Sequence, residues 1–110
     1  MLNQIILVGR LVKTPEVIET ESGKKMSYIT LAIPRTFKNA DGEYDTDFID
    51  CVLLEVVAES TSEYCKQGDI VGVKGRVQSH MIEDEDGNNY KKMEVIADKI
   101  TFLSSKKEED

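Results

Sequence analysis

Only one stretch of this 110-residue chain spaces its apolar side chains for a helix, and almost everything around it alternates. Between Val56 and Gln67, the residues Val57, Thr61, Tyr64 and Cys65 recur at helical intervals, and Gly68 stands just past the end in the position of a C-cap. Before that stretch, Gln4 to Val12 reads as a long strand in which Gly9 suggests a bend or bulge. Glu16 to Thr20 and Lys25 to Ile33 flank Glu21-Ser22-Gly23-Lys24, a short connection suited to a hairpin. A turn at Asn39-Ala40-Asp41-Gly42 leads to a strand through Asp47 to Leu54. After the helix, Ile70 to Val77 and Met93 to Leu103 resume strand character around a turn at Asp86-Gly87.

Five strands with one helix between the third and fourth predict an all-β fold, the five-stranded Greek-key barrel of the OB type. A plain sandwich leaves the helix unexplained. The length suits a single domain, residues 1–105, followed by a short charged tail at 106–110. No apolar run approaches the roughly 18 residues of a membrane helix, and Met1-Leu2-Asn3-Gln4 lacks the basic start of a secretory signal, so a cytoplasmic protein with no membrane partner is expected. Cys51 and Cys65 have no CxxC spacing and read as buried, reduced thiols.

Strand parity then separates a core face from a presenting face. In Asp47-Phe48-Ile49-Asp50-Cys51-Val52-Leu53-Leu54, the residues Ile49, Cys51 and Leu53 share one side, while Phe48, Asp50, Val52 and Leu54 share the other. Phe48 and Leu54 thus stand where a half-exposed strand normally carries polar groups. Phe37 follows a strand ending Ala32-Ile33-Pro34-Arg35, bracketed by Arg35 and Lys38. In the fourth strand, Lys74 and Arg76 alternate with Val73, Gly75 and Val77 and share a face with Gln78 and His80; Arg10 and Lys13 extend the cationic set. Rings interleaved with cations suit unpaired bases on a charged backbone.

The net charge of -7 opposes such a partner when taken as one number. Its distribution does not. Residues 1–40 carry six Lys and Arg against three Glu, whereas residues 41–63 carry eight Asp and Glu with no cation, and 83–86 are Glu-Asp-Glu-Asp. A basic face and acidic loops coexist in one chain.

Enzymatic chemistry finds no foothold, since His80 is the sole histidine and no nucleophile, base and orienting group assemble around it. Glu83-Asp84-Glu85-Asp86-Gly87 lacks the first and closing ligands of a calcium loop, and no phosphate-binding Gly-rich loop with a lysine is present. Neither a catalytic residue nor a metal or other cofactor is expected.

These pieces fall in a recognisable order. Met1 to Leu11 followed by Thr14-Pro15-Glu16, Ile29-Thr30-Leu31-Ala32 leading to Arg35-Thr36-Phe37, and Asp47 to Val52 resemble the bacterial single-stranded DNA-binding proteins. Ala58-Glu59, Glu63-Tyr64, Gly68-Asp69, Gly75-Arg76-Val77-Gln78-Ser79 and Glu94-Val95-Ile96-Ala97-Asp98 continue the likeness. It spans about residues 1 to 105. The resemblance implies an OB-fold that coats single-stranded DNA without much sequence preference during replication, recombination and repair, in association with the nucleoid. It also implies a homotetramer, or a dimer, built by pairing first strands, and it matches Phe37 and Phe48 to base-stacking positions.

Departures from that family motivate a rival, an OB-fold protein–protein adaptor of replication restart with weak DNA binding. The chain has no tryptophan, places Leu54-Glu55 where the family has an aromatic and a neutral or basic residue, and has Ile82 in place of a common aromatic. The given sequence ends in Lys106-Lys107-Glu108-Glu109-Asp110 rather than a long linker with a hydrophobic tip. For such a short form, partners that dock on that tip are not expected.

Overall fold

The first strand, β1 (Ile5–Leu11), turns Ile5, Leu7, Gly9 and Leu11 toward the interior and leaves Ile6, Val8 and Arg10 outside. The structure, a computed structural model, describes residues 1–105; the tail at 106–110 lies outside the described residues. A two-residue β2 (Ile18–Glu19) pairs with the start of β3 (Lys25–Lys38), which runs antiparallel to β4 (Tyr44–Leu54). The helix α1 (Val56–Tyr64) follows, then β5 (Ile70–Glu83) and β6 (Asn89–Ser104) form a long hairpin. The strands run in the order β1-β5-β6-β4-β3-β2, and a β1–β3 pairing closes the sheet on itself. With β2 set aside, these are the five strands of the expected OB barrel, with the helix between the third and fourth.

The core is aliphatic. Leu11, Ile29, Leu31, Cys51, Leu53, Val71 and Val73 are fully buried, and Ala58 and Cys65 bring the helix onto them. Each large aliphatic side chain buried this way contributes about 1.5–3 kcal/mol. Both thiols are free and buried, as expected. Desolvation, helped by the neighbouring Asp50 charge, pushes the Cys51 thiol up to about 11.

Several local expectations need correction. Gly9 marks no bulge, because the β1–β5 register runs through it unbroken. Its role is close approach: a Cβ there would lie 2.7 Å from Ile33 and 3.0 Å from the Ala32 carbonyl, where β1 leaves β5 for β3. The β5–β6 register shifts instead, opposite Ile70–Val71 and opposite Lys74–Gly75, where β6 carries the extra residue each time. The helix ends at Tyr64 rather than Gln67, with Cys65 as its extended C-cap, and Tyr64 is exposed while Ala58 takes its place on the packing face. Gly68 instead supplies the positive φ of a turn whose ends are Lys66 and Asp69. Buried Asp69 accepts the Lys66 N–H at 2.9 Å, tying that turn down.

The strands also run further than the hydrophobic pattern does. β3 continues through Pro34 to Lys38, β5 reaches Glu83 rather than Val77, and β6 starts at Asn89 rather than Met93. Proline has no N–H for the ladder, and the β3–β4 register shifts between Pro34 and Lys38. The two distal hairpin arms have hardly a buried side chain, so they carry no in–out alternation to read.

Candidate nucleic-acid interface

Parallel pairing between β4 and β6 is confined to Cys51–Val95, Val52–Ile96 and Leu53–Ala97. Before those pairs the strands part, and the seam opens into a groove of about 570 Å³. Tyr28, Phe48, Asp50 and Val52 line it together with Lys92, Met93 and Glu94, while Ile5, Leu7, Ile49 and Val95 belong to the barrel core below. Phe48 is 64% exposed, as its parity predicts; a core role for this ring is ruled out. Val52 shares that outer face yet is buried, because Tyr28 on β3 and Ile96 on β6 are its register neighbours. Leu54 ends the row, partly exposed.

Cross-strand register shows which expected residues meet. One row runs Tyr28, Val52, Ile96, Arg76 across β3, β4, β6 and β5, and another joins Phe48, Ala32 and Arg10. Arg76, Gln78 and His80 do share one face of β5, opposite Ile96, Glu94 and Lys92 of β6. Phe37 is 63% exposed on the distal part of the β3–β4 hairpin. The Arg35 guanidinium lies 6.0 Å from its centroid, and the Lys38 ammonium lies 5.9 Å from that of Tyr44.

The cations differ in how they are engaged. Arg35 makes a two-pronged contact with Asp47, at 2.9 and 3.1 Å, with Asp45 at 3.7 Å. Those hydrogen bonds hold the Asp47 carboxyl below its ordinary value and raise Arg35. Arg76 pairs with Asp98 at 2.9 Å and reaches Gln78 at 3.4 Å. His80 Nδ1 lies 3.6 Å from Glu94. Arg10 donates one guanidinium nitrogen to the Gly68 carbonyl at 2.5 Å, clamping the turn before β5. Lys13 lies by Tyr28 at a small exposed depression. Among the described residues, Lys13, Lys38 and Lys74 make no ion pair. Lys74 sits directly opposite Lys99, an arrangement that costs stability unless an anion joins it.

Tyr28, Lys92, Met93 and Lys99 escaped the sequence reading. For Tyr28 the signal was present, since it alternates with Ile29 and Leu31 and so shares the outer face. The other three depend on the β6 register and on where the seam opens, which no local pattern encodes.

The comparisons with known proteins follow the same lines. The chain is 44% identical over 109 residues to single-stranded DNA-binding protein B of Bacillus subtilis (strain 168), covering 99% of this chain and 96% of that protein. It is 43% identical over 110 residues to single-stranded DNA-binding protein 1 of Staphylococcus aureus (strain MSSA476), covering all of this chain and 70% of that protein. Single-stranded DNA-binding protein 2 of the same strain is 43% identical over 106 residues, covering 96% of this chain and 64% of that protein. With residues 2–103 matching the family model as well, the chain belongs to the single-strand binding protein family.

Proposed function

We propose that this protein binds single-stranded DNA with little regard to sequence and coats it during replication, recombination and repair at the nucleoid. The observation that carries this reading is the exposed Phe48 ring beside an apolar groove that interrupts the barrel wall, with Tyr28 on the groove's lining and Phe37 exposed further out along the β3–β4 hairpin. Every base has a π-face, so such rings hold bases without identifying them, at about 1–3 kcal/mol per stacked base. Lys38, Lys74 and Lys99 supply charge for the backbone, and Lys92 adds a cation at the groove itself. The binding residues are the expected set of Arg10, Lys13, Arg35, Phe37, Lys38, Phe48, Leu54, Lys74, Arg76, Gln78 and His80, joined by Tyr28, Lys92 and Lys99. Arg10 also fixes the β1–β5 connection.

We further infer self-association through β1. Ile6 and Val8 are both more than half exposed on its outer face, an apolar edge that a second copy would cover, giving a dimer or tetramer.

Fluorescence anisotropy with labelled oligo-dT and a duplex of equal length, at one salt concentration, tests the binding reading. Oligo-dT is expected to bind at least tenfold more tightly. Equal affinities overturn the reading, and no binding to either leaves the adaptor role.

A further inference from the structure

We propose that Asp47 and Asp98 act as internal competitors of the DNA backbone, so that they, more than the number of cations, set how strongly salt weakens binding. This rests on the single-strand reading above. A guanidinium grips a carboxylate and a phosphate through the same pair of parallel N–H donors. The Asp47 carboxylate occupies that fork on Arg35, with the Asp45 carboxylate at 3.7 Å making no hydrogen bond to it, and Asp98 occupies one arm of Arg76 while Gln78 takes another. All four side chains are about half exposed, so the pairs are weak enough to open when a strand arrives.

The consequence is thermodynamic. A free cation that meets a phosphate releases a counterion from the DNA, and that release makes binding weaken as salt rises. A cation taken from a carboxylate releases the same counterion, but the abandoned carboxylate recruits a cation from solution. The net release is close to zero. Arg35 and Arg76 can therefore position the backbone while adding almost nothing to the salt slope, which falls to the unpaired lysines Lys13, Lys38, Lys74, Lys92 and Lys99. Such a surface lets a chain with a net charge of -7 hold single strands over a wide salt range and still exchange them readily. The hydrogen bonds from Arg35 hold the Asp47 carboxyl below its ordinary value, so the competitor is charged wherever an ordinary aspartate is.

The test is oligo-dT binding by anisotropy across a salt series, for the wild type, Asp47→Asn, Asp98→Asn and the double variant. Each substitution is expected to steepen the log–log salt slope by about 0.7, and to tighten binding roughly fivefold to tenfold at about 50 mM salt. Asp41→Asn removes one acidic charge that is not paired with either arginine and serves as the matched control. Arg35→Gln closes the cycle: in the wild type it should leave the slope nearly unchanged, and in the Asp47→Asn background it should remove the added 0.7 or so. Slopes for Asp47→Asn and Asp98→Asn that match Asp41→Asn overturn the proposal, as does a slope that drops by the full amount on Arg35→Gln in the wild type. Failure of every variant to bind oligo-dT overturns the single-strand reading, and this inference with it. Normal binding with unmoved slopes overturns the inference alone.

Discussion

The β3–β4 hairpin turns at Asn39 to Gly42 and the β5–β6 hairpin at Asp84 to Gly87, and the two turns are built alike. In the first, the Asn39 side chain accepts the N–H groups of Asp41 and Glu43 at 2.9 and 3.0 Å; in the second, Asp84 accepts those of Asp86 and Asn88 at 3.0 and 2.8 Å. Gly42 and Gly87 supply the positive φ in each, 78° and 81°. What the arms carry differs. Both arms carry carboxylates toward the tip, but the β3–β4 arm presents Phe37, Tyr44 and Phe48 among Arg35 and Lys38, whereas the β5–β6 arm presents Arg76, Gln78, His80 and Lys92 with one phenol ring, Tyr90. The turn fixes the shape of an arm and leaves its faces open to selection for contact. One arm is suited to hold bases and the other to track the backbone.

The roots of the two arms differ as well, and the largest expected effect lies there. At Gly75 a Cβ would sit 1.9 Å from the Ile96 carbonyl oxygen, against backbone that cannot step aside. Gly75→Ala should cost about 3 kcal/mol or more in urea unfolding, as severe overpacking does. At the root of the other arm, Glu55 adopts φ 52°, ψ -121°, a conformation that glycine takes without strain, while its N–H bonds to Lys25. Glu55→Gly should stabilise by about 1 kcal/mol, since relief of backbone strain outweighs the greater freedom of glycine in the unfolded chain. A cost below about 1 kcal/mol for Gly75→Ala, or a loss of stability from Glu55→Gly, would erase the distinction between the roots.

Next in size is the division of labour on the faces. Phe48→Ala should weaken oligo-dT binding by about 1–3 kcal/mol with the melting temperature unchanged, because the ring is mostly exposed. Tyr90→Ala, on the other arm and opposite Ile82, should cost less than about 0.5 kcal/mol if its ring takes no base. The reverse order would move the bases to the β5–β6 arm. A large loss of stability in Phe48→Ala would return that ring to a packing role.

How far the sequence reached depended on burial. Ile29, Leu31, Cys51 and Leu53 alternate because every second residue enters a closed core, and from that alternation came the barrel strands and the outward face of Phe48, while its break after Val56 marked the one helix. The arms beyond Pro34 and Val77 face solvent on both sides, so no alternation of apolar side chains runs through Gln78-Ser79-His80-Met81, and the hydrophobic pattern stops short of both arms. Grouping Arg76 with the polar side chains of Gln78 and His80 was within reach of parity. Their engagement was not, because Asp47 and Asp98 reach their arginines through long-range register: Asp47 stands opposite Ile33, and Asp98 is the residue by which β6 bulges between Lys99 and Ala97.

The smallest expected effect tests what the arms share. At Gly42 a Cβ would meet nothing within 4 Å, and at Gly87 only the Glu83 carboxylate at 3.8 Å, so alanine at either position meets open space. The penalty is then conformational alone, about 1 kcal/mol for a left-handed alanine, and it should be the same at both turns. Because each turn lies at the far end of an exposed arm, the strain is relieved by opening the tip rather than by unfolding the barrel. Gly42→Ala and Gly87→Ala should therefore barely move the melting temperature, while amide exchange at Glu43 and at Asn88, whose N–H groups the turn side chains hold, accelerates about fivefold in each. Equal acceleration supports a common turn with different cargo. A clear excess at one tip would mean that the rings and charges of that arm also hold its turn in place, and that shape and contact are not separable there.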